Sequence, residues 1–136
     1  MKTNIALLIE QSVNVIDSLN KGLRLTPEEQ QFFCEHFERE EIKKNEFTIR
    51  IGDYEKYLYF IESGILRYWT AQEYGDPDKE ITFWFSFPGE FANSYFSLKE
   101  NQPSLIHIQA LTDCVIWKLS KLDLADLYQT SLNINK

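Results

Sequence analysis

The chain has 136 residues, 43% hydrophobic and 26% charged, which is the length and balance of one globular domain and excludes both a disordered tail and two full-size domains. Aromatic residues reach 15%, with ten Phe, seven Tyr and three Trp, a bias toward pleated surfaces and a β-rich core. Fourteen basic side chains against twenty-one acidic ones leave a net charge of −7. Such a surface repels a phosphate backbone, so this segment does not read as a nucleic-acid-binding module in its own right.

In chain order, Ile5, Leu8, Ile9, Val13, Ile16 and Leu19 recur at helical spacing over Asn4–Asn20, and Asn20-Lys21-Gly22 supplies a stop. Thr26-Pro27-Glu28-Glu29 announces a second helix, with Thr26 as N-cap, Pro27 at N1 and Glu29 closing a capping box. Phe32, Phe33 and Phe37 form its apolar stripe, and Glu38–Glu41 reads as its solvated end. From residue 42 the period shortens. β-like runs at Phe47–Ile51, Tyr57–Glu62, Ile65–Thr70, Glu80–Phe87, Leu105–Leu111 and Val115–Leu119 are separated by turns such as Gly52-Asp53, Ser63-Gly64, Tyr74-Gly75-Asp76-Pro77 and Phe87-Pro88-Gly89. After Ser120, a fair N-cap, the spacing of Leu122, Leu124, Leu127, Tyr128 and Leu132 returns to a helical period. The expected fold is mainly β with flanking helices, a small sandwich or jelly-roll barrel.

Little in the chain points to catalysis. The two histidines, His36 and His107, fall on a predicted helix and a predicted strand, and two scattered imidazoles do not make the convergent metal site of a cupin. No H-E-x-x-H, G-x-S-x-G or Walker loop occurs. Cys34 and Cys114 belong to no CxxC pair, so neither zinc, an iron–sulfur cluster nor a disulfide framework is indicated; Cys34 reads as a small core residue. No signal h-region or membrane-length apolar run is present, and a reduced cytoplasmic protein is expected. His107 reads as an edge-of-core strand residue, Arg67 as a solvated strand residue and Trp84 as core, although Arg67 and Trp84 could line a pocket mouth.

The segment Phe87-Pro88-Gly89-Glu90-Phe91-Ala92-Asn93-Ser94-Tyr95 is the most informative. A glycine at a strand end lets the backbone approach a ligand. A carboxylate after it can accept hydrogen bonds from a vicinal diol, and a short helix starting near Ala92 would present free amides to an anion. Taken alone, Pro-Gly-Glu is an ordinary turn.

Its surroundings add to this. Leu25-Thr26-Pro27-Glu28-Glu29, Lys43-Lys44-Asn45-Glu46, Gly52-Asp53, Leu58-Tyr59-Phe60-Ile61-Glu62-Ser63-Gly64 and Phe87-Pro88-Gly89-Glu90-Phe91 together resemble the sensor domain of bacterial transcription regulators of the catabolite-activator/fumarate-nitrate family, from about residue 20 to 131. The resemblance implies a cyclic-nucleotide-binding-type β-roll over 40–120, a helical lead-in over 1–38 and, over 121–136, the start of a C-terminal helix that in the family pairs two protomers and leads to a DNA-binding domain absent from this chain. It implies a regulatory domain rather than an enzyme, with a small-molecule effector, a homodimer seam on the C-terminal helix, DNA contact only through another domain and no membrane. Gly89 and Glu90 match the start of the family's phosphate-binding cassette, whose Glu holds the ribose 2′-hydroxyl. Aligned on Gln109-Ala110-Leu111-Thr112, the cassette's phosphate-pairing Arg falls on Ser104 and its hydroxyl residue on Leu105, and Ser97–Pro103 reads as a long loop. The expected pocket is Gly89, Glu90, Phe91, Ala92, Asn93, Ser94, Ser104 and Leu105. Without the Arg, cyclic AMP in the usual mode is not expected, because a bidentate charge-assisted pair of roughly 1.5–3 kcal/mol is missing and Lys99 does not reproduce its planar fork. The alternatives are a small cupin-like sugar-binding or metal-dependent jelly roll, and a ligand-free dimerisation module.

Overall fold

The computed structural model describes residues 35–126 apart from positions 73 and 77. The helices expected over Asn4–Asn20 and from Thr26, together with Cys34, Leu127, Tyr128 and Leu132, lie outside the described residues. Among the described residues eight strands and one short helix follow one another, with a helical segment, α2, after them: β1 (Glu38–Ile42), β2 (Phe47–Ile49), β3 (Tyr57–Ser63), β4 (Leu66–Ala71), β5 (Glu80–Ser86), β6 (Phe91–Ala92), α1 (Tyr95–Glu100), β7 (His107–Ala110), β8 (Cys114–Ser120) and α2 (121–126). They form two four-stranded antiparallel sheets, ordered β1-β8-β3-β6 and β2-β7-β4-β5. The alternating runs and glycine turns lead one to expect this mainly β, two-sheet architecture, and its β-roll form is the one the family resemblance implies.

Alternation decides what each sheet buries. Ile42, Tyr59, Ile61, Ala92, Cys114 and Ile116 from the first sheet meet Ile49, Leu66, Tyr68, Ile108 and Ala110 from the second in one cluster. Every strand contributes to it except β5, whose one buried residue is Ser86. The alternate residues of β3 and β8, Leu58, Phe60, Trp117 and Leu119, are buried as well. Phe60 packs edge-on to Phe91 at 5.3 Å between ring centres, and Phe91 meets Phe37 at 6.4 Å. Strand β3 is therefore covered on both faces, which is why Tyr57–Glu62 reads as an almost unbroken apolar run.

Gly64, between β3 and β4, has φ +89°, and a Cβ there would stand 2.6 Å from Cys114 Sγ. The Ser63-Gly64 signal thus marks a turn where both the backbone conformation and the space require glycine. The Ser120 cap is also in place, its hydroxyl accepting the Asp123 amide at 3.1 Å.

Five expectations need correction. Glu38–Glu41, read as a helix end, lies in strand β1 paired with β8, where Glu40 meets Lys118 at 3.1 Å across the ladder; a strand with a single buried apolar residue shows no alternation for sequence reading to find. Helix α1 starts at Tyr95, not near Ala92, because Ala92 is paired with Tyr59 in β6. The supposed loop Ser97–Pro103 is helical through Glu100. Trp84, expected in the core, is 63% exposed because β5 is the outer strand of its sheet. Arg67, expected to be solvated, instead pairs with Glu80 at 3.0 Å, donates to Thr82 Oγ1 at 2.7 Å and lies over the Trp69 ring. His107 sits at the edge of the core, as its strand position implied; its Nδ1 accepts the Ile51 amide and its ring stacks on Trp69 at 4.3 Å. Among the described residues no helix is long and apolar enough to cross a membrane.

Candidate functional site

The chain leaves β5 through Phe87-Pro88-Gly89-Glu90. Gly89 takes φ +87°, and the Glu90 carboxylate accepts the Phe87 amide at 2.7 Å, so the turn is closed by its own side chain. The Gly89 amide donates to Ile61 O and the Ile61 amide to Glu90 O, at 2.8 and 3.0 Å, clipping the turn to β3. Glu90 is exposed, and Phe91 and Ala92 then pair with Phe60 and Tyr59 as β6. Gly89 and Glu90 are thus separated from α1 by a strand, and Asn93 and Ser94 are the residues that enter the helix.

Ser94, the N-cap of α1, is 2% exposed and makes no side-chain cap hydrogen bond. Its hydroxyl meets that of Ser104, itself buried, at 2.8 Å. Ser104 Oγ also donates to Ile106 O and accepts the Ile106 amide, at 2.8 and 3.2 Å. A serine has one hydroxyl proton, so with that of Ser104 on Ile106 O, Ser94 is the donor within the pair. Backbone bonds fix the position: the Ser104 amide donates to Asp53 O at 2.7 Å, and the Gly52 amide to Ser104 O at 2.9 Å. Leu105 is 64% exposed. Of the eight expected pocket residues, the fold brings Ser94 and Ser104 into contact, puts Phe91 and Ala92 in a strand, and leaves Glu90 and Leu105 facing outward.

A residue absent from that set lies at the centre of the site. Glu55, in the loop between β2 and β3, is 3% exposed. One carboxylate oxygen accepts the Ser94 amide at 2.9 Å and the other the Tyr57 amide at 3.4 Å, while the Glu55 amide donates to Ser97 Oγ at 2.8 Å. Burial pushes its carboxyl up to about 7, with the backbone hydrogen bonds from Ser94, Tyr57 and Lys56 partly opposing. In the sequence Glu55 follows Gly52-Asp53-Tyr54 and looks like any polar turn residue; no pattern in the chain marks it. Nearby, the Ser86 hydroxyl donates to the buried Tyr68 hydroxyl at 2.9 Å, and burial pushes the Tyr68 phenol up.

Glu55 also lines a cleft of about 400 Å³ with Thr48, Ile49, Gly52–Lys56, Tyr57 and Tyr59. The pocket residues expected from the sequence do not line this cleft. Among the described residues no cluster of three or more His, Cys, Asp and Glu is arranged to hold a metal ion.

Comparison with known proteins agrees with this geometry. Among curated protein sequences none matches the chain significantly. Solved structures with the same fold include the catabolite activator protein of Thermus thermophilus (24% identity, TM-score 0.67, covering 79% of this chain and 48% of that one). The regulatory domain of Toxoplasma gondii PKA, co-crystallised with cAMP, matches at 17% identity and TM-score 0.74 over 97% of this chain and 46% of that one. The sensor domain of the transcriptional regulator DNR from Pseudomonas aeruginosa matches at 14% identity and TM-score 0.68 over 82% and 72%. This chain therefore spans about half the length of the first two. The sequence profile of the cyclic nucleotide-binding domain matches residues 39–131, well over half the chain. With the roll, the short helix after β6 and the two-sheet topology in place, the chain belongs to the cyclic nucleotide-binding domain family.

Proposed function

We propose that this domain is the signal-sensing part of a transcription regulator of the catabolite-activator type, and that its effector is not a cyclic nucleotide bound through an arginine. One observation carries the second half. The position aligned with the phosphate-pairing Arg is Ser104, buried against Ser94, while the carboxylate of Glu55 already accepts the Ser94 amide. A cyclic phosphate brought there would meet a second acidic group and no cation, which disfavours both charges. The regulator reading draws support from helix α2, which leaves the roll directly after β8, and from the two transcription regulators that share the fold. An acidic sensor joined to a separate basic DNA-reading domain divides the work consistently with the net charge of −7.

Two measurements test this reading. Cyclic AMP and cyclic GMP at millimolar excess are expected to leave the melting temperature nearly unchanged, and a shift implying micromolar affinity overturns the effector half. Reading the coding sequence beyond Lys136 tests the regulator half: some 70–100 further residues with a basic helix-turn-helix pattern support it, and a different module overturns it. A ligand-free pairing module is the second reading, favoured by the exposed aromatic residues of the outer strand β5, where Phe83, Trp84 and Phe85 are 50, 63 and 39% exposed.

A further inference from the structure

Glu55 is the one acidic or basic residue in the buried set among the described residues. It ties together two segments about forty positions apart. Its carboxylate accepts the Ser94 amide at the entrance to α1, and its own amide donates to Ser97 within α1. It also lines the cleft of about 400 Å³, together with its exposed neighbours Asp53, Tyr54 and Lys56. We propose that Glu55 is a proton-operated latch between the β2–β3 loop and the segment entering α1: uncharged, it stays seated and holds the two together; on losing its proton it swings into the adjoining cleft and releases Ser94.

The surroundings favour the uncharged form inside and offer the charged form a way out. The groups that face Glu55 from other elements are the phenols Tyr59 on β3 and Tyr68 on β4, both of which feel its charge. Helix α1 presents Ser94 and Ser97, while its charged residues Lys99 and Glu100 and the phenol Tyr95 are exposed. On its own loop Asp53 and Lys56 are exposed and carry opposite charges. Burial dominates and lifts its carboxyl to about 7, against the opposing pull of its backbone hydrogen bonds. An ionised carboxylate held by two backbone amides but shut off from water and from any counter-charge is costly, and rotation into the open cleft beside it removes that cost. The input is a proton, so the latch operates whichever effector the regulator takes.

Hydrogen exchange in the whole 136-residue chain tests it. After correction for intrinsic exchange, protection of the Ser94 amide is expected to fall about tenfold between pH 6 and pH 8. In Glu55→Gln, whose neutral side chain keeps an oxygen for the Ser94 amide, protection is expected to stay flat. Flat protection in the wild type, or the same fall in Glu55→Gln, overturns the proposal. Should Glu55→Gln fail to fold, carboxyl ¹³C shifts of the wild-type chain decide. A Glu55 midpoint above about 6 supports the latch, and one at or below that, toward the ordinary glutamate range, overturns it.

Discussion

The hydroxyls of Ser94 and Ser104 meet at 2.8 Å inside the protein, at the place where the family resemblance puts a phosphate and its arginine. Ser104 is saturated there: it donates to Ile106 O and accepts from both Ser94 and the Ile106 amide. Replacing it with Ala leaves the buried Ser94 hydroxyl and the Ile106 amide without that acceptor. Ser104→Ala is therefore expected to destabilise the domain by about 1–3 kcal/mol, the usual cost of orphaned buried polar groups. Urea denaturation measures this, and a midpoint equal to that of the wild type would show that the serine pair does not hold the segment.

The carboxyl of Glu55 also gives stability a pH dependence of unusual sign. Its folded value of about 7 lies above its ordinary 4.5. Between these two the native state binds more protons than the unfolded chain, so its contribution is complete below about 4.5 and is lost as pH rises through about 7. The difference in unfolding free energy between wild type and Glu55→Gln should change across that window, on the order of 3 kcal/mol in favour of the wild type at the acid end. Denaturation at a series of pH values checks it; a difference independent of pH would place Glu55 in a solvated environment.

Two turn glycines make a controlled comparison. Gly64 and Gly52 both have positive φ, +89° and +96°, but a Cβ on Gly64 would collide with Cys114 and the Asp113 carbonyl, whereas one on Gly52 meets nothing within 4 Å. Gly52→Ala should lose only the conformational term, roughly 1 kcal/mol. Gly64→Ala adds a steric clash against backbone in a close-packed turn and should cost clearly more, about 2–4 kcal/mol. Equal melting temperatures for the two variants would contradict the close approach of the β3–β4 turn to β8.

What could be read from the sequence follows from how local each signal is. Strands β3, β4 and β8 and the Ser63-Gly64 turn were legible because their apolar residues recur within a few positions and the turn chemistry lies beside them. Strand β1 was not, since Glu38-Arg39-Glu40-Glu41 carries charge on both faces and owes its pairing to β8, some 75 positions away. Two-residue β6 is too short to show a period, so the sequence points to a helix start about three residues ahead of α1. In the site, Ser94 is legible from its local segment and Ser104 from family spacing, while their mutual bond and the burial of Glu55 come from tertiary placement. Glu55 is buried because β6 and α1 close over the β2–β3 loop from nearly forty residues downstream. The exposure of Trp84 is hidden for the complementary reason: hydrophobicity signals a strand but not whether that strand is the outer one.

That outer strand leads to the last prediction. Strand β5 presents Ile81, Phe83, Trp84 and Phe85 at 39–63% exposure, and Phe87 follows at 48%. Its free edge has no hydrogen-bonded neighbour beyond β4 among the described residues. An unpaired, aromatic-rich edge is the kind of surface on which proteins pair or aggregate, and a single charge on it is the usual remedy. Trp84→Lys changes the most exposed of these side chains without touching the core, so the melting temperature should move by no more than a degree or two. Self-association, followed by sedimentation velocity across a concentration series, should weaken at least tenfold. If the wild type pairs and Trp84→Lys pairs equally well, β5 is not the contact surface, and the C-terminal helix that the family resemblance implies becomes the next candidate seam.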